Sequence, residues 1–430
     1  MFRDRAYEDF RVGKRRALWA LCSVALIFAS FASKAQTRGD TDESRAGKIL
    51  AEEQAKANHL TPNVEPRAEQ VFERLERDVV NPVFVPSGYS VKLGGLPTGG
   101  GFSIGPRYTR NDLLRDRLTS DTYVVGSTKL WWRGATTLEM PSLASDHLSL
   151  RLIGAYEDAA SIAFYGEGPT SAKSGESNFR REFTTGQLEA EAHTADKRIL
   201  AGYRVGGLLA NVGKGRSNDS PSTSLLYTES NTPGLQNQSH YVTGTSFAGL
   251  DLTRKDFNDP KGLSLEAANT QFWDKTWGLY SFDILRTQAL YRFTYANGMR
   301  TLAFRARNAT TFTRGGQEVP FYLQPTLGGP DDLRGYDRYR FYGNGSSEVS
   351  VEYHWSVAET LELALFADGG NVYQRPGLIG FRHNRGDGGF GVRFKNKEAT
   401  FMRFDMGVSP EGVQAWFVFN PSFGKLARLF

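Results

Sequence analysis

Glu348-Val349-Ser350-Val351-Glu352-Tyr353-His354-Trp355-Ser356-Val357 alternates without a break. The odd positions carry Val349, Val351, Tyr353, Trp355 and Val357; the even ones carry Glu348, Ser350, Glu352, His354 and Ser356. Successive side chains of a strand point to opposite faces, so this stretch predicts a β-strand with one apolar face and one charged face.

The same rhythm extends outward. Leu361, Leu363, Leu365 and Ala367 oppose Glu362, Ala364, Phe366 and Asp368, and Met402, Phe404, Met406 and Val408 oppose Phe401, Arg403, Asp405 and Gly407. Further upstream, Leu148, Leu150 and Leu152 oppose Ser149 and Arg151. A soluble sandwich alternates in this way too. Long strands, frequent charges on one face and an export signal favour a barrel in lipid, with apolar residues outward and charges in the lumen. Tyr353, Trp355, Trp416 and Phe419 suit an interfacial aromatic girdle or, equally, a core. The strand candidates are 101–110, 121–140, 147–164, 178–195, 197–213, 241–254, 262–274, 279–295, 299–313, 346–357, 360–373, 387–396, 399–408 and 412–420. The stretches 85–95 and 216–240 each have room for one more, and an even total of 14 or 16 is expected.

Composition agrees with this fold class. The chain has 430 residues, 40% of them hydrophobic and 13% aromatic, with a mean hydropathy of −0.43. Such values exclude a polytopic helical membrane protein, which needs apolar runs of about 20 residues, and the aromatic content excludes full disorder. Of 52 basic and 47 acidic residues, seven and three fall within residues 1–35. The remainder is therefore nearly neutral.

Lys14-Arg15-Arg16, the apolar run Ala17–Ala29 and the small residues ending at Ser33-Lys34-Ala35 read as a secretory signal peptide, residues 1–35. Cleavage after Ala35 removes Cys22, the single cysteine, and with it any thiolate chemistry. Residues 36–95 are expected to form a periplasmic lead. Within it Ala68, Val71, Phe72, Leu75 and Val79 mark an amphipathic helix over about 68–80. The barrel is expected over 96–423, followed by a tail over 424–430.

Motifs for catalysis and cofactors are weak. Gly244-Thr245-Ser246-Phe247-Ala248 lacks the closing glycine of a nucleophile elbow and lies mid-strand. The six histidines form no pair at zinc-ligand spacing. Thr98-Gly99-Gly100-Gly101 has no following helix to make a phosphate cradle, and Asp251–Gly262 lacks the ligand alternation of a calcium loop. Basic residues are dispersed among acids, which leaves no footprint for nucleic acid. The expectation is no enzyme, no metal and no cofactor.

Gly328-Gly329-Pro330-Asp331-Asp332-Leu333-Arg334-Gly335-Tyr336 stands out, followed by the aromatic- and arginine-rich run Asp337–Asn344. As a surface loop it needs no partners. Folded into the lumen, Arg334 needs carboxylates, because a charge leaving water is tolerated only when paired. Strand parity offers Glu352 and Asp368, and the planar guanidinium suits a bidentate carboxylate.

At these residues the sequence resembles the BamA/TamA-type outer-membrane barrels, the bacterial surface antigen family, whose wider superfamily includes two-partner secretion transporters. Leu333-Arg334-Gly335-Tyr336 resembles the family's R-G-[FY] loop element, preceded by Val319-Pro320-Phe321-Tyr322 and Gly328-Gly329. Ala364–Tyr373 resembles its F-x-D-x-G strand, and Gly389-Phe390-Gly391-Val392-Arg393-Phe394 with Arg403-Phe404-Asp405 resembles its penultimate hairpin. Phe164-Tyr165-Gly166-Glu167-Gly168 and Thr253-Arg254 before Pro260-Lys261-Gly262 are weaker echoes. The resemblance implies a 16-stranded transmembrane antiparallel barrel whose sixth extracellular loop enters the lumen, with Arg334 paired to Asp368. Lumen-facing Arg393, Arg403 and Asp405 accompany that pair. It also implies a weak seam between first and last strands and a role in inserting or translocating polypeptides.

Three features depart from the family pattern. Residues 36–95 are too short for the periplasmic POTRA domains, Leu252 stands where the family often has Asp, and a tail follows the last strand. The expected protein is thus a bacterial outer-membrane barrel in contact with lipid and with a periplasmic partner or client polypeptide, and not with nucleic acid. A passive porin-like channel and an outer-membrane hydrolase are the alternatives.

Overall fold

The computed structural model describes residues 87–97, 99–256, 259–296, 298–358, 360–375, 383–395 and 400–419. All belong to one compact unit of the chain, 78–430. The predicted signal peptide, the 68–80 helix and the 424–430 tail lie outside the described residues.

Nineteen strands are present among the described residues. In chain order they are β1 (Gly88–Leu93), β2 (Ser103–Leu113), β3 (Leu118–Ser127), β4 (Trp132–Leu143), β5 (Leu148–Phe164), β6 (Ser177–His193), β7 (Ile199–Lys214), β8 (His240–Asp251), β9 (Arg254–Asp256) and β10 (Asp259–Asp274). There follow β11 (Phe282–Tyr295), β12 (Arg300–Thr313), β13 (Thr326–Leu327), β14 (Phe341–Tyr342), β15 (Gly345–Ser356), β16 (Leu361–Tyr373), β17 (Arg385–Lys395), β18 (Thr400–Ser409) and β19 (Gly412–Val418). Apart from the three short strands β9, β13 and β14, they pair antiparallel in sequence order, each with the next, as a sixteen-strand meander.

The meander curls around its own loops. Residues of the connection between β12 and β15 touch β5 and β6 on one side and β15, β16 and β18 on the other. The two ends also approach each other: the Phe419 ring, just past β19, lies 5.4 Å from the ring of Phe102, which precedes β2. β1 and β19, with six and seven residues, are the shortest strands of the meander.

Alternation sorts the faces. Val349, Trp355 and Leu365 are 56%, 44% and 59% exposed, whereas Glu348, Ser350, Glu352 and Asp368 are buried. Water would penalise so much exposed apolar surface; lipid does not, and the inward charges are then those of a polar lumen. Connections at one end are tight (114–117, 144–147, 194–198), while those at the other include 165–176, 215–239 and 314–344. In outer-membrane barrels the long loops are extracellular.

Three boundaries differ from the sequence reading. The candidate 121–140 is two strands, β3 and β4, joined by a hairpin whose Leu130 has φ 60°. Thr128-Lys129-Leu130-Trp131 carries none of the usual turn residues, which hid the break. The expected lead to residue 95 contains β1, which pairs with β2 from Gly88 opposite Thr109 to Leu93 opposite Ile104. The stretch 216–240 holds no strand of its own before β8 starts at His240, only one helical turn, α1 (Thr223–Leu226), near which Asn178 Nδ2 of β6 donates to Ser220 O at 2.6 Å. Two of the tight turns, 114–116 and 144–146, run through three successive non-glycine residues with positive φ. Each such residue costs about 1–2 kcal/mol, offset by the long ladders it joins.

Candidate functional site

The connection 314–344 leaves β12, makes a 3-10 turn at Phe321–Leu323, and forms the hairpin β13–β14, with Thr326 opposite Tyr342 and Leu327 opposite Phe341. Between these two short strands lies the Arg334 tip. Two glycines start it, Gly328 at φ 113° and Gly329 at φ 117°. A Cβ on Gly328 would sit 2.3 Å from Asp337 O, so no other residue fits there. Asp332 Oδ1 accepts the N–H groups of Gly328 and Leu333, both at 2.6 Å, which pins the turn from within. Leu333 and Tyr336 are buried with Leu327, Phe341 and Val372. They are the apolar anchors of the tip, and Arg334 is its polar one.

The Arg334 guanidinium is 2% exposed. Nε and Nη2 donate to the two oxygens of Asp368, each at 2.7 Å, while Nη1 donates to Glu352. Ser350 Oγ completes the carboxylate's shell at 2.6 Å from Asp368 Oδ1, and the Phe366 ring lies 3.6 Å beneath the guanidinium carbon. Register explains this convergence. Ser350 is opposite Asp368 across β15–β16, and Glu352 opposite Phe366. These inward residues of two neighbouring strands form one patch under the loop tip. Opposite charges held in good geometry offset the cost of burial.

The remaining predicted residues join the same network. Arg403 reaches from β18 to Asp405 Oδ2 at 2.6 Å, to loop Asp331 Oδ1 at 2.9 Å and to Pro330 O at 2.9 Å. Arg393 of β17 donates to Asp405 and lies 3.8 Å from Glu352. Leu333, Arg334, Gly335, Tyr336, Glu352, Asp368, Arg393, Arg403 and Asp405 thus occupy one region of the lumen.

Sequence reasoning missed several members. Arg305 and Arg307 of β12 both hold Glu348, at 2.8 and 2.9 Å, and both donate to Asp331 O. Trp416, for which girdle and core are equally open from sequence, is buried: its indole N–H donates to Arg334 O at 2.6 Å. Its position opposite Asp405 in β18–β19 is the signal that places it inside. Ser409 Oγ donates to Gly335 O at 2.6 Å and Gln414 Nε2 to Asp337 Oδ1 at 2.7 Å, so the tip is fastened to β18 and β19 as well. A Cβ on Gly335 would fall 2.6 Å from Asp387 Cβ, which leaves no room for a side chain between loop and wall.

A second arginine secures the outer part of the loop. Buried Arg340 grips Glu411 with two bonds (2.8 and 3.0 Å) and Ser171 Oγ and O with two more (3.0 and 2.8 Å). It thereby joins the loop to the β18–β19 turn and to the β5–β6 loop. Around it the long-loop end is filled by an apolar cluster that includes Phe164, Phe179, Phe321 and Tyr342. Beside this cluster Glu167, in the β5–β6 loop, accepts from Gln324 Nε2 at 2.8 Å. Burial, with a smaller push from Glu318, raises its carboxyl to about 7.

Ser246 of the weak nucleophile motif is exposed on the outward face of β8, opposite Asn269, with no histidine across the ladder. Among the described residues no cluster of three or more metal-ligating side chains occurs.

No family model and no curated protein matches the sequence. Solved structures do. The chain is similar to BamA from Haemophilus ducreyi lacking POTRA domains 1–3, at 15% identity and TM-score 0.57, over 77% of this chain and 69% of that one. It is also similar to CdiB from Escherichia coli (11% identity, TM-score 0.49, 78% of this chain and 62% of that one) and to CdiB from Acinetobacter baumannii (12%, 0.45, 76% and 58%). The chain spans less than two thirds of either CdiB chain. At such identities the likeness is one of fold, and the fold is the BamA-type antiparallel barrel.

Proposed function

We propose that this chain, a barrel of the BamA type, sits in the bacterial outer membrane and assists the insertion or translocation of polypeptides. The observation that carries the reading is the Arg334 tip, buried in the lumen and bonded to Asp368, Glu352 and the last two strands. A passive channel needs an open lumen, whereas here one connection folds into it and an aromatic cluster packs at the long-loop end. The work such a barrel performs has no chemical step. A short terminal strand with an unsatisfied edge offers an incoming strand its backbone hydrogen bonds, and the six-residue β1 and seven-residue β19 are the candidates. The partner is a client polypeptide, brought by a periplasmic protein if this chain lacks a receiving domain of its own.

Reconstitution into liposomes tests the reading. Insertion of a client barrel above the protein-free rate, lost with Arg334→Ala, supports it. Large steady conductance in planar bilayers, unchanged by Arg334→Ala, would identify a porin. Ester hydrolysis abolished by a single serine change would identify a hydrolase instead.

A further inference from the structure

The histidines that show no metal spacing along the chain are partly reunited by the fold. His147 ends the turn before β5 and His193 ends β6. In the β5–β6 ladder Leu148 faces Ala192 and Ser149 faces Glu191. The His193 N–H donates to His147 O at 2.9 Å, so the two histidines are the next cross-strand pair. They continue the row of Ser149, Arg151, Glu189 and Glu191, whose buried members and ion pairs mark the lumen side. Both imidazoles therefore stand at the tight-turn rim, on the lumen side, His147 exposed and His193 half-buried.

Their rings are 6.3 Å apart, centroid to centroid, with planes at 52°. Nδ1 of His147 is 3.1 Å from His193 O, and Nδ1 of His193 is 3.2 Å from Thr194 O. A carbonyl only accepts, so each Nδ1 carries the proton and each Nε2 keeps its lone pair. This is the arrangement that orients a histidine for metal binding, with the second ring nitrogen held by a carbonyl. Ligation at 2.0–2.1 Å in a tetrahedral site needs the two Nε2 atoms about 3.4 Å apart. Rotation about the side-chain torsions, freest at exposed His147, brings the two Nε2 atoms to that separation. Glu191, the nearest acid on the same row, is held by Arg151 at 2.7 Å. The available donors are thus two neutral nitrogens, which select borderline ions over Mg²⁺ or Ca²⁺.

We infer that His147 and His193 form a two-imidazole site for Zn²⁺, Ni²⁺ or Cu²⁺ at the rim of the lumen, with its other coordination positions open. A bound ion links the β4–β5 turn to the end of β6 and so braces that rim.

The test uses the full-length, untagged protein in detergent micelles. Titration with CuCl₂ followed by electron paramagnetic resonance is expected to show superhyperfine splitting from two nitrogens. His147→Gln and His193→Gln are each expected to lose the two-nitrogen pattern and to weaken ZnCl₂ binding by calorimetry about tenfold or more. His240→Gln, at the opposite end, is expected to leave both unchanged. Zn²⁺ is also expected to raise the unfolding temperature of wild type but of neither rim variant. Unchanged spectra and affinity in both rim variants would overturn the site, as would the absence of saturable binding to wild type. Because the readouts are metal binding and stability, the outcome is independent of whether the barrel inserts polypeptides.

Discussion

Arg334 shows how one residue type at one position organises a lumen. Its fork fits Asp368 with two parallel bonds while the third nitrogen reaches Glu352, a pattern a lysine's point charge does not reproduce. Arg334→Ala leaves buried Asp368 without its cation and Glu352 with only His354 and the more distant Arg393, and is expected to lower unfolding stability by about 3–5 kcal/mol. Asp368→Ala is expected to cost a similar amount, and the double variant little more than either single one, as read from denaturant unfolding in micelles. Full additivity would show that the two side chains do not act as a pair.

Glu167 supplies a pH test at the same scale. Its folded-state carboxyl is raised to about 7, so between the ordinary carboxyl range and pH 7 the folded protein binds more protons than the unfolded chain. The sign follows: this group's contribution is full at acidic pH, falls as pH rises through that window and is flat above it. Glu167→Gln, which keeps the shape of the neutral acid, is expected to flatten the dependence. Unfolding temperatures at pH 5 and pH 8 should lie closer together in the variant than in wild type. An unchanged difference would mean that the carboxyl stays charged throughout.

At the scale of elements, the connection between β12 and β15 is held at two depths. Its tip is fixed by Arg334 and Trp416, and its outer part by Arg340. Arg340→Ala removes four hydrogen bonds that tie three connections together. Faster proteolysis within 165–176 and 314–344 is expected, with the Arg334 contacts kept and overall unfolding shifted far less than in Arg334→Ala. Limited digestion with mass spectrometry of the fragments reads this directly. Equal loss of the whole barrel's protection would show that the two depths are not separable. Element boundaries were the least legible part of the sequence. A hairpin closed by Leu130 at positive φ has no compositional mark, and the fold tolerates its strain because the β3–β4 ladder repays it.

For the whole molecule, the proposed function turns on the meeting of the two ends. A Cβ placed on Gly94 would lie 3.7 Å from that of Phe419, inside the 3.5–4.5 Å range of disulfides. With Cys22 changed to serine, Gly94→Cys with Phe419→Cys is expected to cross-link under mild oxidation. The positive φ of Gly94 makes the reduced variant slightly less stable. If polypeptides leave through this seam, the cross-link is expected to stop client insertion, and reductant to restore it. Insertion that continues in the oxidised protein would place the route elsewhere.

The sequence by itself determined the strand class and, where alternation is unbroken, the parity that puts Glu352, Asp368, Arg403 and Asp405 inward; Arg393 came from the family resemblance. Alternation is a property of neighbours along one chain, so it is written there. It did not determine that Trp416 turns inward to the carbonyl of Arg334, that Arg340 spans three connections, or that His147 meets His193. These depend on register and curvature, which bring together residues from 46 to 169 positions apart. Such contacts follow from curling sixteen strands around one buried loop, and only the tertiary structure fixes how they curl.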